Sequence, residues 1–137
     1  DLAIRHTQAP PDTHVAWELC ASRSLLVASP AYLRQHGTPD HPSQLGAHQC
    51  LLYLRDGGSQ SWSFVREGVR RNAEQVVVPV NGPLRANNSE VLRDAVLGGL
   101  GLGLLPDFSA AAHLDARRLV PVLTRWRPQG FFGDRLY

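Results

Sequence analysis

Apolar positions along the chain follow two rhythms. "CLLYL" (50–54) and "LGLGLLP" (100–106) are near-continuous apolar runs of strand length, as expected of strands covered on both faces. "SWSFVREG" (61–68) alternates with period two and reads as a half-buried strand. "LAIR" (2–5) reads as a short buried strand followed by the loop "QAPPD". "VAWELCAS" and "SLLVAS" read as two strands parted around Arg23. "EQVVVPV" is a further strand whose proline marks an end or an edge. "LRA" is short and extended, "LVPVL" is a strand, and "DGGSQ" and "WRPQG" read as turn and loop.

Helical signals fall between these runs. Pro30 opens "PAYLRQHG", with Gly37 just past its end, and "HPSQLGAH" has the same proline start. Val91, Leu92, Ala95 and Val96 recur at helical spacing, with Asn87 as cap and Glu90 three residues on. Pro106 starts a last helix, "PDFSAAAHL". Strands alternating with helices predict an α/β fold with a largely parallel sheet.

Four glycines, Gly98, Gly99, Gly101 and Gly103, lie within six positions and raise the question of a phosphate loop. Such a loop follows a strand and opens a helix, so that the helix N-terminus faces the anion. Here the helix comes first and the strand last, and the C-terminal end of a helix repels anions. The run reads as a left-handed helix cap at Gly98 or Gly99 feeding a buried strand.

Composition narrows the remaining classes. The 14 basic residues are all arginine, against 12 acidic ones, and form no patch of the kind that grips nucleic acid. No apolar run is long enough to span a bilayer, and "DLAIRHTQAP" lacks the basic start and apolar stretch of a signal peptide. Two cysteines, Cys20 and Cys50, predict reduced thiols in the cytoplasm, although a single bridge between them stays open. His36, His41, His48 and Cys50 fit no zinc spacing, so no metal or other cofactor is expected. No serine sits in a nucleophile elbow, and Glu90 and Asp94 read as a solvated helix face. No constellation for catalysis stands out, and an enzyme is not expected. Trp17, Trp62 and Trp126 read as packing residues. Both ends of the chain are abrupt, which suggests a piece of a longer protein.

"DLAIR", "LLVASPAYLRQHGTPDHPSQLGAHQCLLY", "SWSF", "VPVNGPLRANNSEVLRDAVLGGLGLGLLPDF" and "RLVPVLTRW" follow one another across essentially the whole chain. In this order and spacing the sequence resembles the C-terminal effector-binding domain of LysR-type transcriptional regulators. The resemblance implies a type II periplasmic-binding-protein-like α/β fold of two lobes around a small-molecule cleft. Residues 1–29 and 124–137 would belong to a partial first lobe, and 30–123 to a nearly complete second. It also implies a homo-oligomer that senses a small, plausibly anionic metabolite, with no membrane contact, and that reaches DNA only through a helix-turn-helix outside this chain. The alternative is a solute-binding protein, or a fragment of one, with the same fold.

In open α/β sheets ligands sit beyond the carboxyl ends of strands. Arg5 ends "LAIR", Tyr53, Leu54 and Arg55 end "CLLYL", and Asn87 and Asn88 precede a helix whose N-terminus attracts anions. These six are the expected effector-binding residues, and they match positions where family members contact effectors. Each has an ordinary alternative: Arg5 in a surface ion pair, Tyr53 as packing, Asn87 as a simple cap.

Overall fold

The computed structural model describes residues 2–7, 9, 12–13, 15–54, 60–129 and 135–136. Along the chain run β1 (His6–Thr7), β2 (Cys20–Ala21), β3 (Ser24–Ala28), α1 (Pro30–His36), a 3-10 helix (Pro42–Ala47), β4 (Cys50–Tyr53), β5 (Gln60–Arg66), β6 (Gln75–Val80) and β7 (Arg85–Ala86). Then follow α2 (Ser89–Leu97), β8 (Leu102–Pro106), α3 (Asp107–Asp115), β9 (Val120–Pro121), β10 (Trp126–Gln129) and β11 (Arg135–Leu136). The molecule has the α/β, type II periplasmic-binding-protein-like fold expected from the sequence.

Its main sheet has the order β7-β4-β8-β3-β9. β4 runs parallel to β7 and β8, whereas β3 runs antiparallel to β8 and β9. The expectation of a largely parallel sheet is therefore corrected to a mixed one. Both β7–α2–β8 and β8–α3–β9 step two strands along this order in the same direction, so the right-handed crossover rule puts both helices on one face.

Strand alternation explains the continuous apolar runs. Leu51, Val27 and Leu105 point to the α2–α3 face and pack with Leu92, Val96 and Ala110. Cys50, Leu52, Leu26, Leu102 and Leu104 point to the opposite face. There they meet Tyr32 of α1, Leu45 of the 3-10 helix, and Trp62 and Phe64 of β5. Each fully buried leucine contributes about 1.5–3 kcal/mol of transfer free energy.

The helix punctuation works as the residue types dictate. Ser29 Oγ accepts from Tyr32 N–H at 3.1 Å to cap α1, and Gly37 takes the left-handed φ of 81° at its end. His41 Nδ1 accepts from Ser43 N–H at 3.1 Å to cap the 3-10 helix. At the end of α2, Gly99 has φ 82°. Gly99 N–H donates to Val96 O and Leu100 N–H to Ala95 O, at 3.0 and 3.1 Å. This pair of bonds is a Schellman motif, so Gly99 and not Gly98 holds the left-handed position.

A second sheet, β10-β5-β6, is fully antiparallel. Its β10 contains "WRPQ", which the sequence reading assigned to a loop. Trp126 is buried there, with His41 edge-on at 5.1 Å and Arg66 5.7 Å above its ring. A third, small sheet joins β1, β11 and β2. "LAIR" and most of "VAWELCAS" are not strands, and they are not buried: Leu2 is 90% exposed and Trp17 71%. Ile4, Val15 and Leu19 share that exposure, because no described element covers these segments. The expected burial of Trp17 thus fails, while that of Trp62 and Trp126 holds. Residues 56–59 of the expected turn lie outside the described residues.

Candidate functional site

β4 and β7 end together. Their parallel register sets Tyr53 opposite Ala86, and Leu54 N–H donates to Ala86 O at 2.7 Å. Tyr53 and Leu54 are thereby brought beside Asn87 and Asn88, which follow β7 directly. Tyr53 is half-buried and touches both apolar clusters. Leu54 is 51% exposed and forms an apolar rim.

The cap of α2 is Asn88, one residue later than expected. Its Oδ1 accepts from Glu90 N–H at 2.8 Å and Val91 N–H at 3.4 Å, and its carbonyl accepts from Leu92 N–H. The β7–β4 pairing holds the chain extended through Ala86 and pushes the turn past Asn87, which is left exposed. Glu90 accordingly falls at the second helical position, where it does not close a reciprocal capping box. Two first-turn donors are occupied by Asn88 itself. The positive end of the helix dipole remains as the local source of favourable potential for an anion.

Arg5 is exposed in the extended segment ahead of β1, which pairs with β11 in the small sheet. The Tyr53–Asn88 group is assembled without it. Arg55 lies outside the described residues.

One residue of this neighbourhood was not anticipated. Gln60, at the start of β5, donates a short Nε2 hydrogen bond to Tyr53 O. It was read as the last residue of a turn, and nothing in the local pattern separated it from that turn.

Histidines and cysteines occupy structural roles. Tyr32 Oη and His48 Nδ1 are 2.8 Å apart, and Gln49 N–H donates to Tyr32 Oη at 3.1 Å. Burial, and then the nearby His36, push the His48 pKa down. Burial pushes the Cys50 thiol up to about 12, so it is an inert core thiol; Cys20 is free and exposed. Glu90 and Asp94 are exposed, as a solvated face requires. Among the described residues, no group of three or more His, Cys, Asp or Glu side chains is placed to hold a metal ion. Among the same residues, no helix is long and apolar enough to cross a membrane.

The model of the LysR substrate binding domain matches residues 1–131. The chain belongs to the LysR substrate-binding domain family. It is 37% identical over 126 residues to a probable HTH-type transcriptional regulator, LtrA, of Klebsiella pneumoniae, covering 92% of this chain and 39% of that one. It is 30% identical over 123 residues to the HTH-type transcriptional regulator CrgA of Neisseria meningitidis, covering 90% and 39%. Among solved structures, the full-length Vibrio cholerae virulence activator AphB superposes with TM-score 0.78 at 30% identity, over 92% of this chain and 41% of that one. The regulatory domain of Neisseria meningitidis CrgA gives 0.72 at 27%, over 97% and 63%. The LysR-type chain thus spans about two fifths of the curated relatives it matches.

Proposed function

We propose that this LysR-type domain senses a small anionic metabolite at the carboxyl ends of β4 and β7. The observation that carries this reading is the convergence of Tyr53, Leu54, Asn87 and Asn88 on the N-terminus of α2. The site fits the rule for ligands at strand carboxyl ends, and the helix dipole favours negative charge. Arg55 and Arg5 would supply further positive charge when the cleft closes on its ligand.

Residues 1–29 and 124–137 would contribute to one lobe and 30–123 to the other, with β3 lending the second its central strand. The whole protein would act in the cytoplasm as a homo-oligomer. It would meet DNA through a helix-turn-helix domain and neither bind a cofactor nor catalyse a reaction. The ligand's work would be to shift the balance between arrangements of lobes and subunits. A solute-binding role has the same fold in its favour, but the relatives are transcription regulators.

The test is a metabolite screen on the full-length protein by thermal shift, followed by calorimetric titration of the ligands found. Leu54→Glu places a negative charge on the exposed rim and should abolish binding of an anionic ligand while leaving the unliganded melting temperature unchanged. Arg5→Ala should weaken binding by about 1.5–3 kcal/mol, the worth of a charged hydrogen bond. Undiminished affinity in both variants refutes the site.

A further inference from the structure

The ladder between β4 and β8 ends early. Leu51 is the last β4 residue in register with β8, opposite Gly103, yet β8 runs on to Pro106 against β3. Leu52 and Leu54 donate their N–H groups to β7, at Leu84 O and Ala86 O. By strand alternation, Tyr53 turns its carbonyl to the other edge, where β8 has parted from β4. Gln60 Nε2 meets that carbonyl.

Gln60 is held at both ends. Its backbone pairs with Val80 in the β5–β6 ladder, and its amide nitrogen is fixed on Tyr53 O. The assignment of the carboxamide is unambiguous, because a carbonyl oxygen accepts only from the NH2 side. Oε1 is therefore the free end, and it is an acceptor. It is buried, and among the described residues it has no hydrogen-bond partner. Native proteins rarely leave a buried carbonyl oxygen in this state, and a bound donor is the usual remedy.

We propose that Gln60 selects the effector for a hydrogen-bond donor. The ligand seated at the ends of β4 and β7 carries a hydroxyl or N–H group that donates to Gln60 Oε1. Its class is a hydroxy- or amino-substituted small acid, not a plain one. A carboxylate is acceptor-only, so a plain acid offers this oxygen repulsion in place of a bond. This inference rests on the site reading above and adds to it the residue that sets specificity.

The experiment titrates the full-length protein with matched acids that differ by one donor: malate against succinate, lactate and alanine against propionate, 4-hydroxybenzoate against benzoate. In the wild type, the donor-bearing member of at least one pair should bind about tenfold more tightly or better. Gln60→Ala should erase that preference and leave the plain member's affinity within about twofold. Gln60→Met, which keeps the side-chain length, repeats the test should the alanine variant fold poorly. A preference that survives both variants overturns the proposal, as does a wild-type preference for the plain acid or a lack of binding in every pair. Leu54→Glu separates the two readings. If it blocks the acids while the Gln60 variants keep their preference, the role of Gln60 falls and the site stands. If the acids bind Leu54→Glu unchanged, the site itself falls.

Discussion

Replacing Gly101 by alanine should destabilise the protein far more than the same change three residues earlier. A Cβ at Gly101 lands on the carbonyl oxygen of Gln49, 3.0 Å from its carbonyl carbon and 3.2 Å from its Cβ. That oxygen accepts from Leu102 N–H at 2.9 Å, a bond that holds β8 to the chain entering β4. Relief requires backbone to move, and overpacking of this kind costs about 1–3 kcal/mol. Weakening the Leu102–Gln49 bond adds about 0.5–1.5 kcal/mol. The stiffer unfolded chain of an alanine variant returns about 0.4–1 kcal/mol. The net loss is on the order of 2–3 kcal/mol. Gly98 has φ −74° and no neighbour closer than 3.4 Å, so Gly98→Ala should be neutral or gain about 0.4–1 kcal/mol. Gly99→Ala, at φ 82°, should fall between, losing about 1–2 kcal/mol. Urea unfolding followed by the fluorescence of buried Trp62 and Trp126 reads all three. If Gly101→Ala proves as stable as Gly98→Ala, the close approach of β8 to β4 is wrong, and with it the account of why this run is glycine-rich.

Asn88→Ala removes the acceptor for Glu90 and Val91 N–H and should cost about 1 kcal/mol of stability by urea unfolding, whereas Asn87→Ala should cost nothing measurable. Native-state alkylation at pH 8, read by mass spectrometry, should modify Cys20 and spare Cys50; a second adduct before unfolding would contradict the buried thiol. His48 has its folded pKa held below 6.5, so the unfolded chain takes up a proton first as pH falls. The contribution of His48 is then complete above pH 6.5 and declines below it. His48→Gln should flatten that decline, as measured by urea midpoints at pH 7.5 and 5.5.

Local chemistry made much of this molecule legible. Pro30, Gly37 and the order of glycines after α2 carry their meaning in a few residues, because caps and turns are decided by neighbours. Strand direction is a different matter. "SLLVAS" reads as a buried strand whichever way its partners run, and only the fold sets β3 antiparallel to β8. Pro128 made "WRPQG" look like a loop, but β10 is an edge strand, where a missing N–H is tolerated. Asn87 and Asn88 are equally good caps by type, and the β7–β4 register chooses between them. Of the candidate site, the carboxyl ends of β4 and β7 could be read in advance. Gln60 could not, because its importance lies in meeting Tyr53 O across a turn.

The position of β3 sets an order of events during synthesis. Leu25 and Val27 pair with Leu105 and Gly103 on one side, and Val27 with Pro121 on the other. The strand at the middle of the sheet is thus made long before either neighbour, and it leaves the ribosome as an apolar segment with both edges open. Pairing across so much intervening chain carries a large closure entropy, which slows folding. Until β8 arrives, "SLLVA" is the stretch most exposed to wrong partners, and a chaperone that shields it would raise the yield of folded protein more than one acting on α2 or α3.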